Sequence, residues 1–424
     1  MDDTGDRAAR AQSAEHQLVN VRLPAGWTLT GLIAGLLLGW ALAGSATIDP
    51  ILAITKPVGS LWLRALQVTI VPLVAALLVL GITQMAQAAR AGAVARRMLS
   101  WIAVVLISGG LVSAFVLPML LSVFPPPASA AGILSASTGP AQEVPGIGAF
   151  VESLVAPNIV EAAANTSMLP LTLFFAVFAL ALVRLPAGQR DTMIQFFRAL
   201  ANTMLLIIGW VLWLAPVGVF ALAMGVAAQS GGAAFATLAH YILVVAAMGF
   251  IVMLGGYVLA WVAGGINPLR FTRAMFPAQA VALSTQSSLA SLPAMLVAAQ
   301  RLGVRETTAE FVLPLAVAIF RSTSPAMNLA VAIYVAHLAG VTLTPLSLAA
   351  GIAVALVISV GSVSLPGSIS FVVSIGPIAL AMGVPVGPLA LLVAVEMLPD
   401  IMRTVGNVTL DVAVTTAVDR TSKD

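Results

Sequence analysis

Cysteine is absent from the 424 residues, which excludes disulfides, thiol nucleophiles and cysteine-ligated metals. Histidine is scarce: His16, His240 and His337 lie far apart and form no local metal-binding spacing. Neither HExxH nor GxSxG occurs, so the common metalloprotease and serine-hydrolase signatures are missing. Charge is the largest deficit. Only 8% of residues are charged, against about a quarter in soluble domains. The net charge of +3 is small, and Lys and Arg read as topology markers, not as a nucleic-acid footprint. What fills the space is apolar: 60% hydrophobic residues and a mean hydropathy of +1.06. The chain is expected to be an all-α, multi-pass membrane protein. Its first 20 or so residues are polar, carry both signs and lack the apolar core of a signal peptide, so they read as a cytoplasmic tail.

Spans need about 20 apolar residues. Good candidates run over 27–46, 57–86, 98–123, 149–184, 199–228 and 235–264. The fourth holds Asn165 and Pro170 and is expected to break; the fifth holds Ala215-Pro216-Val217-Gly218, a kink signal. Arg90, Arg96 and Arg97 follow the second span, Arg184, Arg190 and Arg198 the fourth, Arg270 and Arg273 the sixth. The loop near 124–148 has neither Lys nor Arg. These asymmetries predict an inner (plasma) membrane protein with both termini cytoplasmic.

From about 275 the pattern changes. Apolar arms at 274–283 and 292–299 flank the serine-rich segment 284–291, and each arm is too short to span, which predicts a re-entrant hairpin. Residues 308–337 can cross, interrupted by Phe320-Arg321-Ser322-Thr323-Ser324-Pro325. Pro325 has no N–H, so the Arg321 carbonyl is expected to lose its helical partner. A second pair of arms follows, around the tip Gly361-Ser362-Val363-Ser364-Leu365-Pro366-Gly367-Ser368, and a last span covers roughly 385–416. Hairpin plus span thus occurs twice, and both tips contain Ser-Leu-Pro. Interrupted segments in matching halves point to a transport site at the bilayer midplane.

The last span carries Glu396, Asp400, Arg403, Thr404, Asn407 and Asp411. At about 100° per residue they fall within an arc of about 100° on one face. Ionisable groups are costly in hydrocarbon, so this stripe should face a partner, a cavity or a ligand. A carboxylate suits an ammonium group, and an arginine grips a carboxylate. Ser287, Ser288, Ser324 and Ser364 can add hydroxyls. The simplest structural alternative is that Asp400 and Arg403 neutralise each other.

The chain resembles the dicarboxylate/amino acid:cation symporter family, the glutamate and aspartate transporters, from about residue 27 to 418. The resemblance rests on Ala215-Pro216-Val217-Gly218-Val219-Phe220, the first tip ending in Leu292-Pro293, Val312-Leu313-Pro314-Leu315, Leu365-Pro366-Gly367, and Asp400-x-x-Arg403-Thr404-x-x-Asn407-Val408-Thr409-x-Asp411. It implies eight transmembrane helices, two re-entrant hairpins, a homotrimer in the lipid bilayer, and elevator transport of a small-molecule substrate without a cofactor. By the family pattern a tail (1–26) precedes scaffold spans 1–2 (27–96). Span 3 (97–123) belongs to the transport domain, 124–230 is scaffold, 231–274 is span 6, 275–418 is the transport core, and 419–424 is a tail. Asp400 then meets a substrate amino group, Arg403 a side-chain carboxylate, and Asn407 with the first-tip serines an α-carboxylate. Ser362, Val363, Pro366 and Gly367 belong to the outer gate. Acidic amino acids are the favoured cargo, and a C4 dicarboxylate is the alternative.

The chain also departs from that pattern. The family's seventh span normally reads Asn-Met-Asp-Gly-Thr, where this chain has Phe320-Arg321-Ser322-Thr323-Ser324. Val105 and Leu106 stand where sodium-binding members carry hydroxyls, and Gln286 stands where many prokaryotic members hold arginine. Hard cations need several oxygen ligands. No metal is therefore expected, apart from a residual sodium site at Asn407 and Asp411. Arg321 is expected to replace the cation by pairing with Asp400 or Asp411. Coupling then passes to protons, with Glu396 and Asp400 as candidate carriers, or is lost. An ion channel, an intramembrane enzyme and a non-transporting sensor fit the paired hairpins less well.

Overall fold

A computed structural model describes residues 25–45, 47–90, 92–127, 152, 154–230, 233–361 and 367–422. Among these residues there are helices and no strands. The first group is α1 (Ala25–Ala41), α2 (Ile48–Gln67), α3 (Ile70–Ala89) and α4 (Ala93–Val123). Next come α5 (Ile159–Ala164), α6 (Met168–Leu182), α7 (Ala187–Trp213), α8 (Ala215–Ser230) and α9 (Ala233–Val262). The remainder is α10 (Pro268–Thr285), α11 (Ser288–Leu302), α12 (Glu306–Ile319), α13 (Ser324–Leu338), α14 (Pro345–Gly361), α15 (Gly367–Ala381), α16 (Leu389–Leu392) and α17 (Met397–Thr421). Five segments are long and apolar enough to cross a membrane: Ile48–Ala89, Ala93–Val123, Ala187–Trp213, Ala234–Val262 and Glu306–Leu338. Large apolar side chains are exposed along them, including Phe115, Leu243 and Phe250. Trp27, Trp40, Trp213 and Trp261 are exposed near helix ends, where indole rings suit the bilayer interface.

The expected breaks have local causes. The fourth span divides at 165–167, where Thr166 takes φ 50 between α5 and α6. Leu214 separates α7 from α8. The first hairpin is tighter than the sequence suggests. Its arms run to Thr285 and from Ser288, so only two residues turn the chain. Gln286 takes a left-handed φ of 51, and Ser287 caps α11 by accepting a hydrogen bond from Ala290 N at 3.2 Å. The arms also outrun the apolar stretches. Asn267 caps α10, whose first residue is Pro268, and Gly303 ends α11 in the left-handed conformation. The second and last spans differ from expectation. Val68 and Thr69 interrupt the former, and residues 393–396 separate α16 from α17 in the latter. The second tip, with Ser362, Val363, Ser364 and Pro366, lies outside the described residues; Gly367 is the first residue of α15.

Two sets of helices pack among themselves. α8 lies against α1 and α2, and α3 lies against α6 and α7. Around α17, in contrast, gather α4, α9, α10, α11 and α12, with α13 against α4 and α9. α14 and α15 lie where the sets meet, touching α3 and α6 as well as α13. Small residues let α17 approach closely. A Cβ on Gly249 of α9 would lie 3.0 Å from the Met402 Cβ, and one on Gly256 would lie 3.2 Å from the Thr409 Cγ2.

Candidate substrate site

The polar stripe of α17 points inward. Glu396 is 1% exposed, Arg403 3%, Asp400 8% and Asp411 0%, and Thr404 and Asn407 are also buried. Burial of that many polar groups is tolerable only with partners. Arg403 finds three. Its guanidinium donates to Glu396 Oε1 at 2.6 Å and to Asn328 Oδ1 at 2.7 Å, and its Nε forms an ion pair with Asp400 Oδ1 at 3.2 Å. Glu396 accepts a second bond, at 3.3 Å, from the Tyr241 hydroxyl of α9. Asn328 donates in turn to Ser324 Oγ at 2.9 Å. The Asp400–Arg403 pair of the simplest reading thus exists, but it belongs to a wider network.

The break between α12 and α13 is seated on the same face. Phe320 leaves the helix in an extended conformation, and Pro325 restarts one in α13. Asn407 Oδ1 accepts from Thr323 N at 2.9 Å, Thr323 Oγ1 at 2.9 Å and Ser322 Oγ at 3.0 Å. A side chain of one helix therefore caps the start of another. A carboxylate ligand could use only the other end of that amide, its NH2 group. Gly406 permits the approach, since a Cβ there would lie 2.6 Å from the Thr323 Cγ2. Pro325 denies the Arg321 carbonyl its i+4 helical partner, and Ser324 N donates to it instead at 3.0 Å, closing a turn where the helix stops.

Arg321 is part-buried in this break, within electrostatic range of both Asp400 and Arg403. Among the described residues no hydrogen bond joins it to Asp411. Neither Asp411 oxygen has a hydrogen-bond partner among the described residues, although the carboxyl is fully buried. Val105 and Leu106 are buried in an apolar cluster with Phe320, Leu410 and Val414. That part of α4 offers hydrocarbon where a cation needs oxygen. Thr404 Oγ1 bonds back to the Asp400 carbonyl at 3.0 Å. Ser287 and Ser288 are half-buried at the start of α11, and among the described residues no hydrogen bond joins them to the α17 stripe; Ser324 accepts from Asn328.

Four participants were not singled out from sequence: Asn328, Tyr241, Ser322 and Thr323. Asn328 had a signal, a lone amide in an apolar helix one turn after Ser324. Tyr241 is one of only three tyrosines, and nothing in its local spacing ties it to Glu396, 155 residues away. Ser322 and Thr323 stand inside the break, but only the fold brings them to Asn407.

A profile of the Sodium:dicarboxylate symporter family matches residues 25–421. The chain belongs to this family. It is a membrane transporter and not an enzyme. It is 27% identical over 405 residues to the Proton/glutamate-aspartate symporter of Escherichia coli (strain K12), covering 92% of this chain and 91% of the relative. It is 27% identical over 410 residues to C4-dicarboxylate transport protein 1 of Pseudomonas paraeruginosa (strain DSM 24068 / PA7), covering 93% and 88%. It is 28% identical over 429 residues to Neutral amino acid transporter B(0) of Homo sapiens, covering 90% and 77%. The family match extends over α1 through α17 and so includes the residues of the polar stripe and of the break that it caps.

Proposed function

We infer that the protein is a secondary carrier of acidic amino acids, aspartate or glutamate. The observation that carries this reading is the buried cluster in which Arg403 and Asp400 lie 3.2 Å apart in the first two turns of α17. Together they offer one cationic and one anionic contact to a zwitterion with an acidic side chain. A neutral amino acid would leave part of that chemistry unused. In this reading Ser287, Ser288, Ser364, Thr404 and Asn407 line the site, and Ser362, Val363, Pro366 and Gly367 gate it. Residues 97–123 and 231–418 form the moving body, 27–96 and 124–230 the scaffold, and the carrier is a homotrimer of eight-span subunits in the inner (plasma) membrane with both termini cytoplasmic. Arg321 supplies the fixed positive charge that sodium supplies elsewhere, so transport proceeds without sodium. The apolar packing of Val105 and Leu106 supports this.

A C4 dicarboxylate is the second reading. Asp400 is already paired with Arg403 and faces Arg321, so it does not need an ammonium partner. Calorimetric isotherms of the purified protein with aspartate, glutamate, succinate and malate, in choline and in sodium buffer, decide between them. The acidic amino acids should bind at least tenfold more tightly than succinate, equally in both buffers. Preference for succinate removes the first reading, and strict dependence on sodium removes the role of Arg321.

A further inference from the structure

Arg403 has five N–H donors; two are taken by Glu396 and Asn328, and the Nε side is held in an ion pair with Asp400. A substrate carboxylate can reach only what remains, beside the Glu396 carboxylate held at 2.6 Å on the same guanidinium. Two anions sharing one buried guanidinium repel strongly in a medium of low polarity. The formal charges around Arg403 sum to zero: Arg403 and Arg321 against Glu396 and Asp400. An acidic amino acid adds one negative charge. The balance is restored if one proton enters with it.

The geometry indicates where that proton goes. Asp400 faces two guanidinium groups, Arg403 and Arg321. Glu396 faces one guanidinium, through Oε1, and a neutral hydroxyl, Tyr241, through Oε2. A protonated Glu396 can turn that second contact around and donate to the Tyr241 oxygen, because a hydroxyl both donates and accepts. Tyr241 packs edge-on against Tyr334, with ring centroids 5.4 Å apart, and the Tyr334 hydroxyl lies 2.9 Å from His240 Nδ1. His240 Nε2 lies 3.0 Å from the Phe124 carbonyl, at the ends of α4 and α9 away from Arg96, Arg97, Arg270 and Arg273. The groups facing Glu396 are therefore Tyr241 and, behind it, Tyr334 and His240, together with Arg403, Asp400 and, beyond Asp400, Arg321.

We propose that Glu396 is a built-in stand-in for the substrate's side-chain carboxylate and the site of one coupling proton. Ionised, it occupies Arg403 and opposes substrate; protonated, it yields the guanidinium to the incoming carboxylate. This rests on the acidic-substrate reading. Affinity then rises as pH falls and weakens as pH rises, by about tenfold per pH unit on the alkaline side for a single linked proton. Calorimetry with aspartate and glutamate on the full-length protein, in sodium-free buffers of different ionisation enthalpy between about pH 5.5 and 8.5, counts the protons. The wild type should take up one proton per ligand on the alkaline side. Glu396→Gln should bind at every pH as tightly as the wild type does at acid pH, with no proton uptake, and Glu396→Asp should keep the slope. Histidine is the other side chain that commonly changes charge in this range, so His240→Ala is the control and should also keep the slope. Zero proton uptake by the wild type, a Glu396→Gln variant that retains the slope, or a flat His240→Ala profile overturns the proposal. The wild-type count decides even where Glu396→Gln fails to fold. Absence of binding by either ligand at any pH overturns the acidic-substrate reading and this inference together; pH-independent binding overturns this inference alone.

Discussion

Arg321 lies where a broken helix, the carboxylate of Asp400 and a second guanidinium meet. A part-buried cation beside a buried carboxylate is held by that charge, and removing it leaves Asp400 with one guanidinium fewer. Arg321→Met should therefore cut sodium-free aspartate uptake in proteoliposomes by tenfold or more. Arg321→Met combined with Ser322→Asp should make the remaining uptake respond to sodium, since an oxygen ligand then replaces the charge. Unchanged uptake by the single variant in choline would remove Arg321 from the site. At this scale the α17 stripe was legible, because 3.6-residue periodicity alone puts Glu396, Asp400, Arg403, Asn407 and Asp411 on one face. What those groups bind was not. The partners of Glu396, Arg403 and Asn407 come from α9, α13 and the break before α13, and local spacing carries no information about helices that meet only after folding.

Helices and their interruptions were more readable, because proline, glycine and short apolar arms act locally. The break at 320–323, the divided fourth span and the first hairpin all lie where the chemistry put them. The split at Val68 and Thr69 has a local cause that was not used: Pro72 lacks the N–H that would bond the Val68 carbonyl. A further element-scale feature is the seam between α1 and α8. Gly31, Gly35 and Gly39 recur every four residues on α1, and a Cβ on each would meet the backbone carbonyl of Pro216, Phe220 or Met224 in turn; at Gly35 the separation would be 2.5 Å. In a membrane such close backbone approach drives helix association, because lipid removes most of the hydrophobic term. Gly35→Leu should therefore force the helices apart, destabilise the protein by about 1–3 kcal/mol and lower its melting temperature in detergent. An unchanged thermal unfolding curve would show that α1 does not depend on this contact.

At the scale of the molecule, the helices gathered round α17 touch those packed around α3 and α8 largely through α14 and α15. An elevator requires that seam to slide while the site travels intact with its own helices. The absence of cysteine makes this directly testable, since two introduced thiols are the only ones present. A cysteine on α3 and one on α14, placed where these helices pack, should form a disulfide under mild oxidation. Cross-linked protein should still bind substrate with unchanged affinity, because the partners of Arg403, namely Asn328 on α13, Asp400 on α17 and Glu396 just before it, lie outside the linked helices. Uptake into proteoliposomes should fall below about a tenth and recover on reduction. Full uptake by quantitatively cross-linked protein would mean that α3 and α14 move together, and the site would then have to open to both faces without crossing the scaffold.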